Sequence, residues 1–140
     1  SRLDSIQAAV LDVKLKYLDS YIQARQHVAA AYDQAFSGFK NLMIPGRNPS
    51  STHVFHQYTL KLKDIDREAL QKHLQSKGIP SMVYYPVPLH MQKAYKDERY
   101  RQGDFPVAEQ LAACVLSLPI HTEMDDEQIQ YITNNLIEFL

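Results

Sequence analysis

"HVFHQYTLKL", residues 53–62, is the stretch on which the fold turns. Val54, His56, Tyr58, Leu60 and Leu62 alternate with His53, Phe55, Gln57, Thr59 and Lys61. Period two with aromatic and β-branched content predicts a strand. Immediately downstream, Asp66 is placed to cap a helix whose apolar positions are Ala69, Leu70 and Leu74, ending at Lys77 and Gly78. "IPSMVYYP" (79–86) then predicts a second strand, closed by Pro86 and Pro88.

Upstream, no proline or glycine occurs between Leu3 and Phe36, and apolar residues recur in steps of three and four. One long helix over 1–37 is predicted, with a kink or break near Asp19 to Tyr21, serving as a connector between two bodies. Gly38 sits where a helix C-terminal cap belongs, and "NLMIPGRNPSST" (41–52) reads as turn-rich chain. Downstream, "MQKAYK" (91–96) reads as a short helical piece. Asp104 and Pro106 open a helix over "FPVAEQLAAC" (105–114), and "VLSLP" (115–119) is the third strand. Asp125 with Gln128 predicts a capping box for a last helix that gathers Ile129, Ile132 and Leu136 on one face. The whole is one α+β domain: a small three-stranded antiparallel sheet with helices packed on one face.

Composition narrows the function classes. The 140 residues carry 15 basic and 16 acidic side chains, with no long run of one sign, so a nucleic-acid footprint is not expected. The longest apolar run, "ACVLSLPI" (113–120), is too short to span a bilayer, and no signal-peptide pattern opens the chain. The single cysteine, Cys114, reads as a small buried hydrophobe rather than a nucleophile, and a reducing cytoplasm is the expected compartment. His53 and His56 have H-x-x-H spacing, yet residues three apart on a strand face opposite ways, so no metal site is expected. Phosphate-loop, dinucleotide and nucleophile-elbow motifs are absent, and four glycines leave little from which to build a backbone phosphate cradle.

Four segments in order, "RLDSIQAAVLDVKLKYLDSYIQARQHVAAAY" (2–32), "HVFHQYTL" (53–60), "LQSKGIPSMVYYPVPLHMQKAY" (74–95) and "FPVAEQLAACVLSLPIH" (105–121), carry a resemblance. Together they resemble the C-terminal part of the DegT/DnrJ/StrS family of sugar-nucleotide aminotransferases. The resemblance implies the small domain of the aspartate-aminotransferase-like fold. It also implies pyridoxal phosphate (PLP) held on a lysine of a separate N-terminal domain, glutamate as amino donor, a keto sugar nucleotide as acceptor, and a homodimer with sites at its interface.

Complete members are much longer. None of the nine lysines here stands in the family's S-x-x-x-x-K context, so the isolated chain is expected to be an inactive fragment that binds no PLP of its own. By resemblance Arg2, at the arginine of an N-x-R turn, contacts the substrate's anionic part at the dimer interface; its other reading is a frayed helix start. Tyr84 and Tyr85 match a pair lining the sugar-nucleotide pocket, although strand geometry lets only one point inward unless the strand has ended. His90 either bonds substrate or the second subunit, or braces its loop. His56 and Tyr58 read as structural, and Asp4 and Gln7 as serving the helix start. Two rival functions remain at this stage: a sugar dehydratase of the same family, and a non-catalytic binding or dimerisation domain.

Overall fold

The computed structural model describes residues 2–140. Its centre is the strand β2, Tyr58–Leu62, flanked by β1, Leu42–Met43, and β3, Val115–Leu118, in the order β1-β2-β3 with both pairings antiparallel. Leu42 lies opposite Leu62, and Tyr58 and Leu60 lie opposite Leu118 and Leu116. Period two then sends Tyr58, Leu60, Leu62, Leu116 and Leu118 to one face, where all are buried. Helices α2 (Leu18–Phe36), α3 (Arg67–Ser76) and α5 (Asp126–Phe139) supply Val28, Tyr32, Phe36, Leu70, Leu74, Ile129, Ile132 and Leu136 to that core. The α+β arrangement with a helical layer on one sheet face is therefore present.

Local chemistry sets the helix ends. Asp66 accepts from the N–H groups of Glu68 and Ala69, and Asp125 and Gln128 form a reciprocal capping box. Helix α3 stops at Gly78, whose φ of +73° suits glycine. Gly78 N–H donates to the Gln75 carbonyl and Ile79 N–H to the Leu74 carbonyl, a Schellman pattern sealed by buried Ile79.

Five sequence expectations change. The long first helix is two: α1, Ser5–Leu15, capped by Asp4, and α2. The break falls at Lys16–Tyr17, earlier than Asp19–Tyr21. There Tyr17 N–H turns back to the Lys14 carbonyl, and Ser20 Oγ donates to the Tyr17 carbonyl, a local bond that competes with the helix ladder.

The strand foreseen over 53–62 begins only at Tyr58. Phe55 has a φ of +49°, and its N–H is taken by His53 Nδ1, so His53–Gln57 is a folded loop whose Phe55 ring is nevertheless buried. Residues 79–86 make one bridge, Met82 to Ser117, instead of a strand. Prolines at 80, 86 and 88 remove donors a ladder needs, and β1, inside the stretch read as turns, takes the third place. Gly38 does not adopt a left-handed φ; α2 closes at Ser37, whose N–H bonds the Asp33 carbonyl. Cys114 is half-buried rather than enclosed.

Candidate functional site

The second sheet face carries Thr59, Lys61, Val115 and Ser117. Thr59 and Ser117 hydroxyls bond each other at 2.8 Å across β2 and β3. Over this face lie helix α4 (Pro106–Cys114) and a strap, residues 82–105, which leaves the sheet at the Met82 bridge. Sheet, strap and helix border an open cavity of about 750 Å³. Its floor is Thr59, Lys61 and Val115; its wall is Ala108, Leu111 and Ala112 of α4; its lip is Tyr84, Tyr85, Val87–Leu89, Gln92 and Tyr95. Small residues at 108 and 112, four apart on one helix face, leave the room.

Both tyrosines of the Tyr84–Tyr85 pair line this cavity, because the strand has ended before them. Their rings meet edge to face with centroids 5.9 Å apart, and the peptide joining them is cis. Tyr84 is 39% and Tyr85 73% exposed, so both rings have surface left to cover. They offer aromatic faces and hydroxyls to a ligand that is part apolar and part polar.

His90 stands behind the lip, not in it. Its side chain is 8% exposed, its ring lies 4.8 Å from that of Phe105, and its Nε2 is 3.0 Å from Glu109 Oε1 on α4. A carboxylate only accepts, so Nε2 carries the proton. Glu109 Oε1 also accepts from Gly103 N–H at 2.8 Å. That bond chiefly, with those from His90 and Phe105, holds the Glu109 carboxyl below the ordinary carboxylate range. Glu109 thus ties α4 to the strap at two points, His90 within it and Gly103 near its end.

Arg2 is exposed ahead of α1 and lies apart from this cavity's lining. His56 is exposed in the loop before β2, 3.4 Å from Arg25 Nη1. Tyr58 is buried; its hydroxyl donates to Asp33 Oδ1, and Arg47 holds the other Asp33 oxygen while lying over the Phe55 ring. Burial and the neighbouring Asp33 carboxylate push the Tyr58 phenol well above its usual range, and burial does the same for Tyr32.

Lys61, Thr59, Gln92 and Tyr95 were not singled out from the sequence. The signal existed for two of them. Thr59 and Lys61 share the strand parity opposite the apolar residues, and so had to occupy the other sheet face. Among the described residues no group of three metal-ligating side chains converges, and no helix is long and apolar enough to cross a membrane.

The chain belongs to the DegT/DnrJ/EryC1/StrS aminotransferase family, whose model matches residues 1–137. It is 40% identical to a pleiotropic regulatory protein of Geobacillus stearothermophilus, over 99% of this chain and 37% of that one. It is 38% identical to a dTDP-3-amino-3,6-dideoxy-alpha-D-galactopyranose transaminase of Aneurinibacillus thermoaerophilus, over 94% of this chain and 35% of that one. Its fold matches the crystal structure of S. venezuelae DesV in complex with a ketimine intermediate, with a TM-score of 0.92 at 36% identity, covering 98% of this chain and 36% of that one. The chain therefore spans little more than a third of the length of these relatives.

Among the described residues, the lining of this cavity does not by itself match the donor set a PLP ring needs. The cavity holds one amine, Lys61, and no carboxylate that could face a pyridine nitrogen.

Proposed function

We propose that this chain is the C-terminal small domain of a cytoplasmic, PLP-dependent transaminase that moves an amino group from glutamate onto a keto sugar nucleotide. The product feeds cell-surface polysaccharide or deoxysugar synthesis. The observation that carries the proposal is the family match over residues 1–137, joined to a tyrosine-lipped cavity built by the Y-Y-P-V-P-L segment. PLP, carried by the rest of the whole protein, supplies the electron sink for moving the amine.

This chain's residues bind and orient the acceptor. Tyr84 and Tyr85 cover the nucleotide sugar at the lip, and the apolar wall of α4 excludes water behind it. Arg2 meets the substrate's anionic part at the boundary with a second subunit, where a guanidinium fork suits an anion. His90 serves the site through Glu109, by fixing the strap. The partner surface of the homodimer includes α1. Its Ile6 and Leu15 are 77% and 68% exposed, and none of its residues is buried.

The test is product analysis with the full-length protein, nitrogen-labelled glutamate, PLP and a dTDP- or UDP-linked keto sugar. A labelled amino sugar nucleotide with equimolar 2-oxoglutarate is the expected result. A deoxygenated sugar without label identifies the dehydratase instead, and no turnover with nucleotide-sugar binding retained identifies a non-catalytic domain.

A further inference from the structure

Among the described residues, Lys61 is the one charged side chain lining the tyrosine-lipped cavity, and no carboxylate lines it. Among the described residues it takes part in no ion pair; those present join His27 to Asp126, Arg47 to Asp33, Lys77 to Glu138, His90 to Glu109 and Arg99 to Asp97. It is half-buried, on the middle strand, so its backbone is fixed by pairing on both sides, to Met43 and to Val115. An ammonium without an ion-pair partner, carried into a partly desolvated cavity from a fixed backbone position, is a site for an anion.

The surroundings agree with that sign. Helix α4 ends just before Val115, and its last carbonyls carry the negative end of the helix dipole. Arg67 covers it: its Nη1 donates to the Ala112 carbonyl at 2.6 Å, and its own Nε is buried without a partner. Arg67 offsets part of that negative end, and Lys61 remains the cation of the cavity's own lining.

The departure point of the strap that carries the tyrosines and the position of Lys61 are set apart along the strand. The strap leaves the sheet opposite Ser117, which pairs with Thr59, and Lys61 lies two residues further on the same face, about 7 Å away by strand rise. Aromatic rings and a lone cation lining one cavity match a nucleoside diphosphate, with base or sugar on the tyrosines and the pyrophosphate toward the cation.

Resting on the nucleotide-sugar reading above, we infer that Lys61 is the diphosphate-binding residue of this cavity, and that it fixes which way round the nucleotide sugar lies. The ligand class is a pyrimidine nucleoside diphosphate and its sugar esters. The interaction is one charge-assisted hydrogen bond or more from Nζ to pyrophosphate oxygens.

The experiment compares dTDP and UDP with thymidine and uridine as ligands of the full-length protein by calorimetry, using Lys61→Met and Lys61→Arg beside the unaltered protein. Lys61→Met keeps the stem's packing and removes the charge, and matching thermal unfolding shows that both variants fold. The expected result is a loss of about tenfold to a hundredfold in diphosphate affinity for Lys61→Met. Nucleoside affinity stays unchanged, and Lys61→Arg recovers most of the loss. Equal losses for diphosphate and nucleoside, or no loss for either, overturn the role of Lys61. If the unaltered protein binds neither diphosphate, the nucleotide-sugar reading itself falls.

Discussion

At the scale of single residues, the clasp between His90 and Glu109 is the feature whose consequences are most open to measurement. Glu109 is held below its ordinary range by Gly103 N–H, then by His90 and Phe105. A carboxyl depressed in the folded state contributes stability above its unfolded value, and that contribution is lost as pH falls through the folded one. The strap should therefore loosen below the ordinary carboxylate range, seen as increased protease cutting between residues 96 and 104. Glu109→Gln should loosen it already at neutral pH and remove the acid step. A second residue-scale outcome concerns Tyr58. Tyr58→Phe removes the hydroxyl bonded to Asp33 while Arg47 still neutralises that carboxylate, so a loss of about 1 kcal/mol is expected from urea unfolding.

At the scale of elements, the helix caps explain both what could be read from the sequence and what could not. Asp66, Gly78, Asp125 and Gln128 are local signals, each needing only its own few neighbours, and all four act as the sequence suggests. Gly78→Ala should cost about 1 kcal/mol in thermal unfolding. No atom stands within 4 Å of an added Cβ, so the penalty is that of φ +73° alone. Strands were harder to place. The two-residue strand at Leu42–Met43 has no period to detect, and it exists only because Leu62 and Lys61 offer it an edge. In the other direction, the alternation over 53–57 was real but was overridden by the His53 side chain taking the Phe55 N–H. The site was half legible for the same reason. Tyr84 and Tyr85 belong to a recognisable segment, whereas Lys61 gains meaning only once the tertiary fold lays the strap and α4 over its face of the sheet.

At the scale of the whole molecule, α1 is the element the domain does not use. It is capped and regular, yet Leu3, Ile6, Leu11 and Leu15 are all more than half exposed, and with α2 it borders an apolar groove of about 1100 Å³. A helix so apolar and so bare needs a partner body. In the full-length protein, Leu11→Asp with Leu15→Asp should weaken subunit association at least about tenfold by sedimentation equilibrium, because charges at a desolvated interface lack partners. The same pair should leave the thermal unfolding of the sheet body nearly unchanged, since no residue of α1 belongs to its buried core.

The most direct test of the central claim, that this fold is the substrate-closing part of a PLP-dependent nucleotide-sugar transaminase, is the absorption spectrum of the full-length protein with PLP bound. Glutamate should abolish the pyridoxal band, and a keto sugar nucleotide added afterwards should restore it, more slowly and at higher concentrations when Tyr84 and Tyr85 are both changed to alanine. A band untouched by glutamate, or restored equally well in the double variant, would contradict the account.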